Sequence, residues 1–288
     1  MTVGEWLRRG EMQLRAGPQL RAGPHPDRAR RDAELLMAQA LQWDRATLLA
    51  HLDDPLGASK AAVFEDRLHR RAAGEPIQYI LGEAEFYGLP FRVTSDVLIP
   101  RPETEHVVET VIELAQRFSD PRIVDVGCGS GAIAVSLAHQ LPSARVTASD
   151  ISAGALAIAR ENAARNGVAD RIRFVQGDLL EPAAGQQFEL IVSNPPYVAN
   201  ADRATLAVEV RDHEPALALF AGEDGLAVIR RLIPDAFAAL VHGGFLVMEI
   251  GHDQSAAVSS ILSNAGFEEI SFVPDLQGIA RVACARRP

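Results

Sequence analysis

The chain has 288 residues, which is long for one compact domain and sufficient for an α/β core with a smaller module. Its net charge of −10 argues against a surface built mainly to neutralise nucleic-acid phosphates, and no apolar run approaches the roughly 20 residues that span a bilayer. The two cysteines, Cys128 and Cys284, are too few for a disulfide scaffold or a metal site. We therefore expect a cytoplasmic protein without membrane attachment, metal or secretory signal.

Residues 1–74 are predicted to form a helical domain, because apolar side chains recur three and four positions apart, as in residues 33–41. Gly-Pro pairs at positions 17–18 and 23–24 predict a turn between the first two helices. Three residues stand where helix caps are expected: Asp27, Ser59 and Gly74.

Residues 75–101 are predicted to form a β-hairpin linker. Three short runs rich in aromatic and β-branched side chains are separated by glycines: Tyr79-Ile80-Leu81, Glu85-Phe86-Tyr87 and Phe91-Arg92-Val93. Such runs are typical of short strands joined by turns.

Residues 102–288 alternate between strand-like and helical patterns. Strands are predicted at residues 123–126, 145–149, 172–176, 190–193, 245–250, 270–273 and 280–285. Helices are predicted from Ala132, from Ala153, at residues 226–240 and at residues 256–265. This alternation predicts an α/β domain with a parallel sheet and helices on both faces.

The first strand of this domain leads into a glycine-rich turn and then an apolar helix. The turn comprises Gly127, Cys128, Gly129, Ser130 and Gly131. Glycines let the backbone approach a ligand closely, and a helix N-terminus offers free N–H groups, so the turn predicts a site for a nucleoside-containing cofactor. The spacing also satisfies the dinucleotide fingerprint G-x-G-x-x-G/A, which leaves NAD as an alternative at this point.

Two further strand ends carry acidic residues. Asp150 ends the second strand, where its carboxylate can accept hydrogen bonds from both ribose hydroxyls. The alternative role for Asp150 is a helix N-cap, although Ser152 can serve that purpose. After the third strand, Asp178 can meet an adenine amino group and Leu179 can pack on the ring, with an ordinary surface turn as the alternative.

The segment Ser193-Asn194-Pro195-Pro196-Tyr197 follows the fourth strand and is the most specific feature of the sequence. The prolines fix the backbone, so the Asn194 side chain is oriented before a substrate binds. The Asn194 side-chain oxygen and the Pro195 carbonyl can accept both N–H protons of a planar amide or aromatic amine, which favours pyramidalisation of that nitrogen. Tyr197 can stack on the flat group. Because dinucleotide dehydrogenases have no use for this loop, methyl transfer to nitrogen is favoured.

Several motifs together resemble the release factor glutamine methyltransferase family of the HemK/PrmC type. They are Gly-Glu-Pro-Ile-Gln-Tyr-Ile-Leu-Gly at residues 74–82, Phe86-Tyr87-Gly88, Leu-Ile-Pro-Arg-Pro-Glu-Thr-Glu at residues 98–105, the glycine turn, the Asn194–Tyr197 loop, Glu214-Pro215 with Ala218-Leu219, and Asp224-Gly225-Leu226. The motifs span residues 74 to about 226, and the order of helical domain, hairpin and catalytic domain covers the whole chain.

The resemblance implies a class I methyltransferase with a mostly parallel, seven-stranded, Rossmann-like sheet over residues 102–288. S-adenosyl-L-methionine would be the methyl donor and S-adenosyl-L-homocysteine the product. The acceptor would be N5 of the glutamine in the Gly-Gly-Gln loop of peptide chain release factors 1 and 2, which the helical domain would recognise. The residues implied in catalysis and substrate binding are Asn194, Pro195, Pro196 and Tyr197. Those implied in cofactor binding are Gly127, Cys128, Gly129, Ser130, Gly131, Asp150, Asp178, Leu179 and Asn194.

Three alternatives remain at this point. An enzyme that methylates amino groups of DNA or RNA can use the same loop, although the net charge of −10 counts against it. The sister family that modifies a ribosomal-protein glutamine is closer, but Pro102-Glu103-Thr104-Glu105 resembles the release factor enzymes. A non-catalytic module that uses the cofactor only for folding is disfavoured by the intact Asn194 loop.

Overall fold

The structure is a computed structural model that describes residues 1–17, 28–275 and 277–288. Asp27 and most of the predicted turn at positions 17–24 lie outside the described residues. The chain divides into two compact units, of which the first comprises Met1–Gly82 and Leu206–His213. The second unit comprises Glu83–Thr205 and Glu214–Pro288.

The first unit is helical. Its helices are α1 (Val3–Ala16), α2 (Arg28–Leu41), α3 (Arg45–Ala50), α4 (Ala58–Ala72), α5 (Ile77–Leu81) and the short α9 (Val208–Arg211). An apolar cluster that includes Leu36, Met37, Phe64 and Leu68 holds the helices together. At the start of α1, Thr2 accepts a hydrogen bond from the Glu5 N–H and the Glu5 side chain accepts one from the Thr2 N–H, so both exposed donors are satisfied.

Two sequence expectations for this region are wrong. Ser59 is not an N-cap, because α4 begins at Ala58 after Gly57 and has no side-chain cap. Residues 79–81 belong to α5 and not to a strand. The reason is burial: Ile77 and Ile80 lie three positions apart and both join the apolar cluster, which a helix allows. Gly74, as expected, follows the end of α4 with a positive φ of 101°.

A buried arginine connects three parts of the helical unit. The Arg71 side chain is 1% exposed, and its Nε donates to Asp32 Oδ2 at 2.7 Å. Its Nη1 donates to the Glu75 carbonyl at 2.9 Å and to Glu209 Oε2 at 3.0 Å. Glu209 also accepts from Arg28 at 2.6 Å. These ion pairs therefore attach the segment Leu206–His213 to the helices of the first unit.

The second unit begins with a β-hairpin and continues with a seven-stranded sheet. The hairpin strands are β1 (Glu83–Phe86) and β2 (Leu89–Arg92). The sheet contains β3 (Arg122–Val126), β4 (Arg145–Asp150), β5 (Ile172–Gln176), β6 (Phe188–Ser193), β7 (Leu240–Glu249), β8 (Glu268–Pro274) and β9 (Ala280–Arg286). Its order is β5-β4-β3-β6-β7-β9-β8, in which the first five strands are parallel and β9 is antiparallel to both neighbours.

Helices cover both faces of this sheet. They are α6 (Glu105–Ala115), α7 (Ala132–Gln140), α8 (Ala153–Arg165), α10 (Ala227–Ala239) and α11 (Ser255–Asn264). Successive strand residues point to opposite faces, so Ile123 belongs to the apolar cluster under α6, α7 and α8, and Val124 to the one under α10 and α11. The predicted α/β class, with a mostly parallel sheet between two helical layers, is confirmed. Among the described residues, no helix combines the length and apolarity that crossing a bilayer requires.

Removal of the buried Arg71 side chain tests the first unit. We expect Arg71→Ala to lower the free energy of unfolding of this unit by about 3–5 kcal/mol, because Asp32 is left as a buried charge without its partner. Urea denaturation followed by tryptophan fluorescence measures this unit selectively, since both tryptophans, Trp6 and Trp43, lie within it. Arg70→Ala is the matched control: its side chain is 42% exposed and pairs with Glu75, so we expect a loss below about 1 kcal/mol. Equal losses for the two variants would contradict the assignment.

Candidate active site

A cavity of about 300 Å³ lies at the carboxyl ends of the parallel strands, where open α/β sheets bind ligands. Its volume is typical of small-molecule sites. Nine of the residues predicted to form the site line it: Gly127, Cys128, Gly129, Ser130, Asp150, Asp178, Leu179, Asn194 and Pro196. The other three predicted residues lie off its wall: Gly131, Pro195 and Tyr197.

The glycine turn has two kinds of glycine. Gly127 and Gly129 have φ values of 71° and 54°, and a Cβ at either position would stand in open space. Gly131 also has a positive φ, but a Cβ there would lie 3.1 Å from the Cβ of Ala159 on α8. The first two glycines thus border the cavity, and Gly131 allows α7 and α8 to pack closely.

Asp150 links the turn to the start of α8. One carboxylate oxygen accepts the Gly129 N–H at 2.8 Å, and the other accepts the Ser152 N–H at 2.8 Å. Ser152 is the N-cap of α8, as its side chain accepts the Ala155 N–H, so Asp150 is not the cap. Burial raises the pKa of Asp150, and the two backbone donors oppose that effect. Each oxygen retains a lone pair with which it can accept a ligand hydroxyl.

A second acid, Asp125, is buried directly behind the turn. Its Oδ2 accepts the Ala134 N–H at the start of α7 at 3.0 Å. Burial raises the pKa of Asp125 to about 7, and the nearby Asp150 charge acts in the same direction. The sequence analysis assigned no role to this residue, although an acid inside the apolar strand β3 is unusual enough to mark it.

The two residues predicted to contact adenine, Asp178 and Leu179, line the cavity, and Asp178 has an ion-pair partner there. Asp178 Oδ2 accepts a hydrogen bond from Arg231 at 2.5 Å, and both residues line the cavity. Leu179 has a φ of 48°, a left-handed conformation that is rare for leucine and concentrates at binding sites. No local pattern predicted Arg231, because it lies on α10, 53 positions from Asp178.

The segment Asn194–Tyr197 is fixed by contacts with Gly225 and Gln254. The Tyr197 carbonyl accepts a hydrogen bond from Gln254 Nε2 at 3.0 Å. A Cβ on Gly225 would approach that carbonyl oxygen to 2.2 Å, so only glycine fits this position. The Tyr197 ring packs against the apolar cluster under α10 and α11. The loop conformation is therefore fixed by packing as well as by its prolines.

A chain of hydrogen bonds connects Asn194 to a buried acid. Asn194 Nδ2 donates to Thr104 Oγ1 at 3.1 Å, and Thr104 Oγ1 donates to Glu249 Oε2 at 2.5 Å. Tyr197 Oη donates to Glu249 Oε1 at 2.9 Å. Burial raises the pKa of Glu249, which the two hydroxyl donors oppose, and burial beside Glu249 raises the pKa of Tyr197.

The segment before α6 is fixed by another buried acid. Glu214 accepts hydrogen bonds from Arg101 Nη2 at 2.5 Å and from the Ile99 N–H at 3.2 Å. Arg101 and Thr104 both line the cavity. Arg101, Thr104 and Glu214 stand in motifs quoted above for the resemblance, and Glu249 in a predicted strand, but none of the four was predicted to belong to the site. Two signals pointed to them: a hydroxyl within Pro102-Glu103-Thr104-Glu105, and an acid at the end of the apolar run that forms β7.

The cavity suits the expected S-adenosyl-L-methionine. Open space at Gly127 and Gly129 leaves room for a ligand against the backbone. Asp150 and Asp178 supply acceptors for hydroxyl and amino groups.

Comparisons with known proteins show what the chain is similar to. A family model described as "Methyltransferase small domain" matches residues 106–212, and one described as "PrmC N-terminal domain" matches residues 5–82. The chain is similar to the release factor glutamine methyltransferase of Moorella thermoacetica, with 45% identity over 288 residues that cover 100% of this chain and 99% of that one. The Koribacter versatilis enzyme of the same name is 45% identical over 262 residues, 90% of this chain and 91% of its own.

A solved structure shows the same fold. The hMettl16 catalytic domain, in complex with the MAT2A 3'UTR hairpin 6, superposes with a TM-score of 0.59. The alignment covers 77% of this chain and 82% of that one at 19% identity, a similarity of fold alone.

The buried Asp125 predicts a pH dependence of stability. Its pKa in the folded state, about 7, exceeds the value near 4 of an unfolded chain, so the folded state holds its proton more tightly. Stability from this group is therefore lost as pH rises from about 4 to about 7. We compare the free energy of unfolding of Asp125→Asn with that of the native chain. We expect the value for Asp125→Asn minus the native value to increase by roughly 2–3 kcal/mol when the pH is raised from 5 to 8.

Urea denaturation followed by circular dichroism at these two pH values measures the difference. Asp170→Asn, which alters an exposed acid of the same unit, is the control. If the Asp125→Asn and native proteins kept the same stability difference at both pH values, the assigned burial effect would be wrong.

Proposed function

Because the chain belongs to the release factor glutamine methyltransferase family, we propose that it methylates N5 of the glutamine in the Gly-Gly-Gln motif of class I peptide chain release factors. It is an S-adenosyl-L-methionine-dependent protein methyltransferase that acts on release factor glutamine. The observation that carries the finer proposal is the position of Asn194, whose amide lines the same cavity as the glycine turn and Asp150.

The methyl donor would be held by the strand ends that border the cavity. We assign the Gly127–Gly131 turn to its backbone contacts, Asp150 to the ribose hydroxyls, and Asp178 with Leu179 to adenine. S-adenosyl-L-methionine supplies a methyl group on a positively charged sulfur, and S-adenosyl-L-homocysteine is the product. Asn194 lines the same cavity as these residues and would therefore border the bound donor.

The loop Asn194–Tyr197 would activate a weak nucleophile. The lone pair of a glutamine amide is delocalised into its carbonyl, so the nitrogen attacks poorly. The Asn194 oxygen and the Pro195 carbonyl would accept its two N–H protons and stabilise the positive charge that develops on nitrogen. Pro196 would contact the same side chain, and Tyr197 would flank it. The new N–C bond would form as the bond between the donor sulfur and the methyl group breaks, with that electron pair remaining on S-adenosyl-L-homocysteine, and one N–H proton would leave to solvent.

Release factors 1 and 2 are the proposed partners, recognised through their Gly-Gly-Gln loops, and the helical unit is proposed to bind the rest of the factor. We propose that the enzyme works in the cytoplasm, because its substrate acts in translation. Direct binding to nucleic acid or membrane is not part of this proposal. The net charge of −10 supports that choice, since a polyanion would be repelled.

A methyl-transfer assay with labelled donor tests the substrate. We expect label in a release factor and none in a factor whose Gly-Gly-Gln glutamine is replaced by alanine. Ribosomal proteins, RNA and DNA serve as competing acceptors, because the two alternative functions would direct label to them. Label in any of these acceptors but not in the release factor would refute the proposal.

Two variants separate transition-state binding from donor binding. Asn194→Ala should lower kcat by about 100-fold or more with donor affinity nearly unchanged, because it deletes an acceptor used in the transition state. Asp150→Ala should weaken donor binding by about tenfold or more, because a charged acceptor is lost. Isothermal calorimetry with S-adenosyl-L-homocysteine and steady-state kinetics measure the two effects. Loss of donor affinity in Asn194→Ala, or unchanged affinity in Asp150→Ala, would contradict these roles.

A further inference from the structure

When Glu249 is ionised, the hydrogen bonds around it have one consistent direction. An ionised carboxylate carries no proton, so it accepts from both Thr104 and Tyr197. Thr104 has one hydroxyl proton, which is used on Glu249. Its oxygen can therefore only accept from Asn194, and the atom that donates must be Nδ2.

This direction fixes an amide that would otherwise have two orientations. The oxygen and nitrogen ends of a carboxamide have nearly the same shape, so packing alone does not distinguish them. With Nδ2 bound to Thr104, Oδ1 is the end that this network leaves for a ligand. If the Asn194 amide were reversed, its N–H donors would face the N–H donors of the substrate amide. Neither group would then have an acceptor.

We propose that Glu249 and Thr104 are positioning residues that hold the Asn194 carboxamide with its oxygen towards the amide to be methylated. The inference rests on the proposed function, in which that oxygen accepts a proton of the reacting nitrogen. Glu249 acts at a distance: it lies at the end of β7, 145 positions from Thr104, and is linked to Asn194 by hydrogen bonds through the threonine hydroxyl. The same carboxylate holds the Tyr197 hydroxyl, so one buried group orients both ends of the catalytic loop.

Thr104→Val tests the proposal, because it keeps the shape of the side chain and removes the hydroxyl. We expect kcat to fall by about 100-fold while KM and the affinity for S-adenosyl-L-homocysteine change by less than about threefold. Thr104→Ser restores the hydroxyl and should recover most of the lost turnover. Thr110→Val is the matched control, since its hydroxyl bonds only to the His106 carbonyl of its own helix. Thermal unfolding confirms that each variant is folded at the assay temperature.

A double-mutant cycle tests whether the two residues act as one chain. The two hydroxyls bind different oxygens of Glu249, so Glu249→Gln places an NH2 donor opposite one of them and removes that acceptor. If the residues act in series, the double variant Thr104→Val with Glu249→Gln should lose clearly less turnover than the product of the two single losses. Independent, multiplicative losses would overturn the proposal, as would a Thr104→Val enzyme with native kcat.

A measurement without turnover separates this inference from the proposed function. The chain has five asparagines, so their side-chain amides can be followed by NMR after asparagine-selective nitrogen-15 labelling, and Asn194→Ala identifies the relevant signal. We expect Thr104→Val to shift the Asn194 signal towards that of a free amide and to speed its exchange with water. Thr110→Val should leave it unchanged. An unaltered signal in Thr104→Val refutes the positioning role, whereas absence of methylation by the native enzyme refutes only the proposed substrate.

Discussion

The common register of five parallel strands determines where every part of the active site lies. Parallel strands end at one edge of a sheet, and here each end supplies a different chemical group. Strand β3 continues into the glycine turn, β4 ends at Asp150, β6 leads to Asn194, and β7 ends at Glu249. The pairing of Val126 with Ser193 places the turn beside the catalytic loop without any intervening segment. Residues at these strand ends thus become neighbours through the backbone hydrogen bonds of the sheet.

This edge gathers buried acids, and the type of donor that each acid receives decides what it orients. Asp125 and Asp150 accept backbone N–H groups, from Ala134 and Gly129 among others, and so they fix the path of the main chain around the cavity. Glu249 accepts two side-chain hydroxyls and so it fixes rotamers. A buried carboxylate needs such donors in any case, since an unpaired charge is very unfavourable. The fold therefore meets one electrostatic requirement while it orients both a cofactor turn and a catalytic side chain.

Features encoded in local sequence could be predicted, and those that depend on distant contacts could not. The glycine turn, the end of β4 and the Asn194 loop each follow a strand within a few residues, so periodicity and motif spacing were sufficient. The segment at residues 79–81 contains strand-forming residues, but burial against the helical cluster makes it a helix. The partners of Thr104 and Arg71 lie 145 and up to 138 positions away. Nothing in the neighbouring residues specifies such partners, although an acid at the end of an apolar strand signals that one exists.

The position of Glu249 is costly for stability, and that cost argues for a role beyond folding. Removing a carboxylate from water costs several kcal/mol, and an apolar residue at the end of β7 would avoid that penalty. The hydroxyls that satisfy Glu249 belong to Thr104 and Tyr197, which flank Asn194, and not to a residue of the distant core. On the proposed role of Asn194, the structure exchanges stability for a single orientation of that amide. Such an exchange is expected where the rate of a reaction depends on the precise orientation of a side chain more than on the stability of the fold.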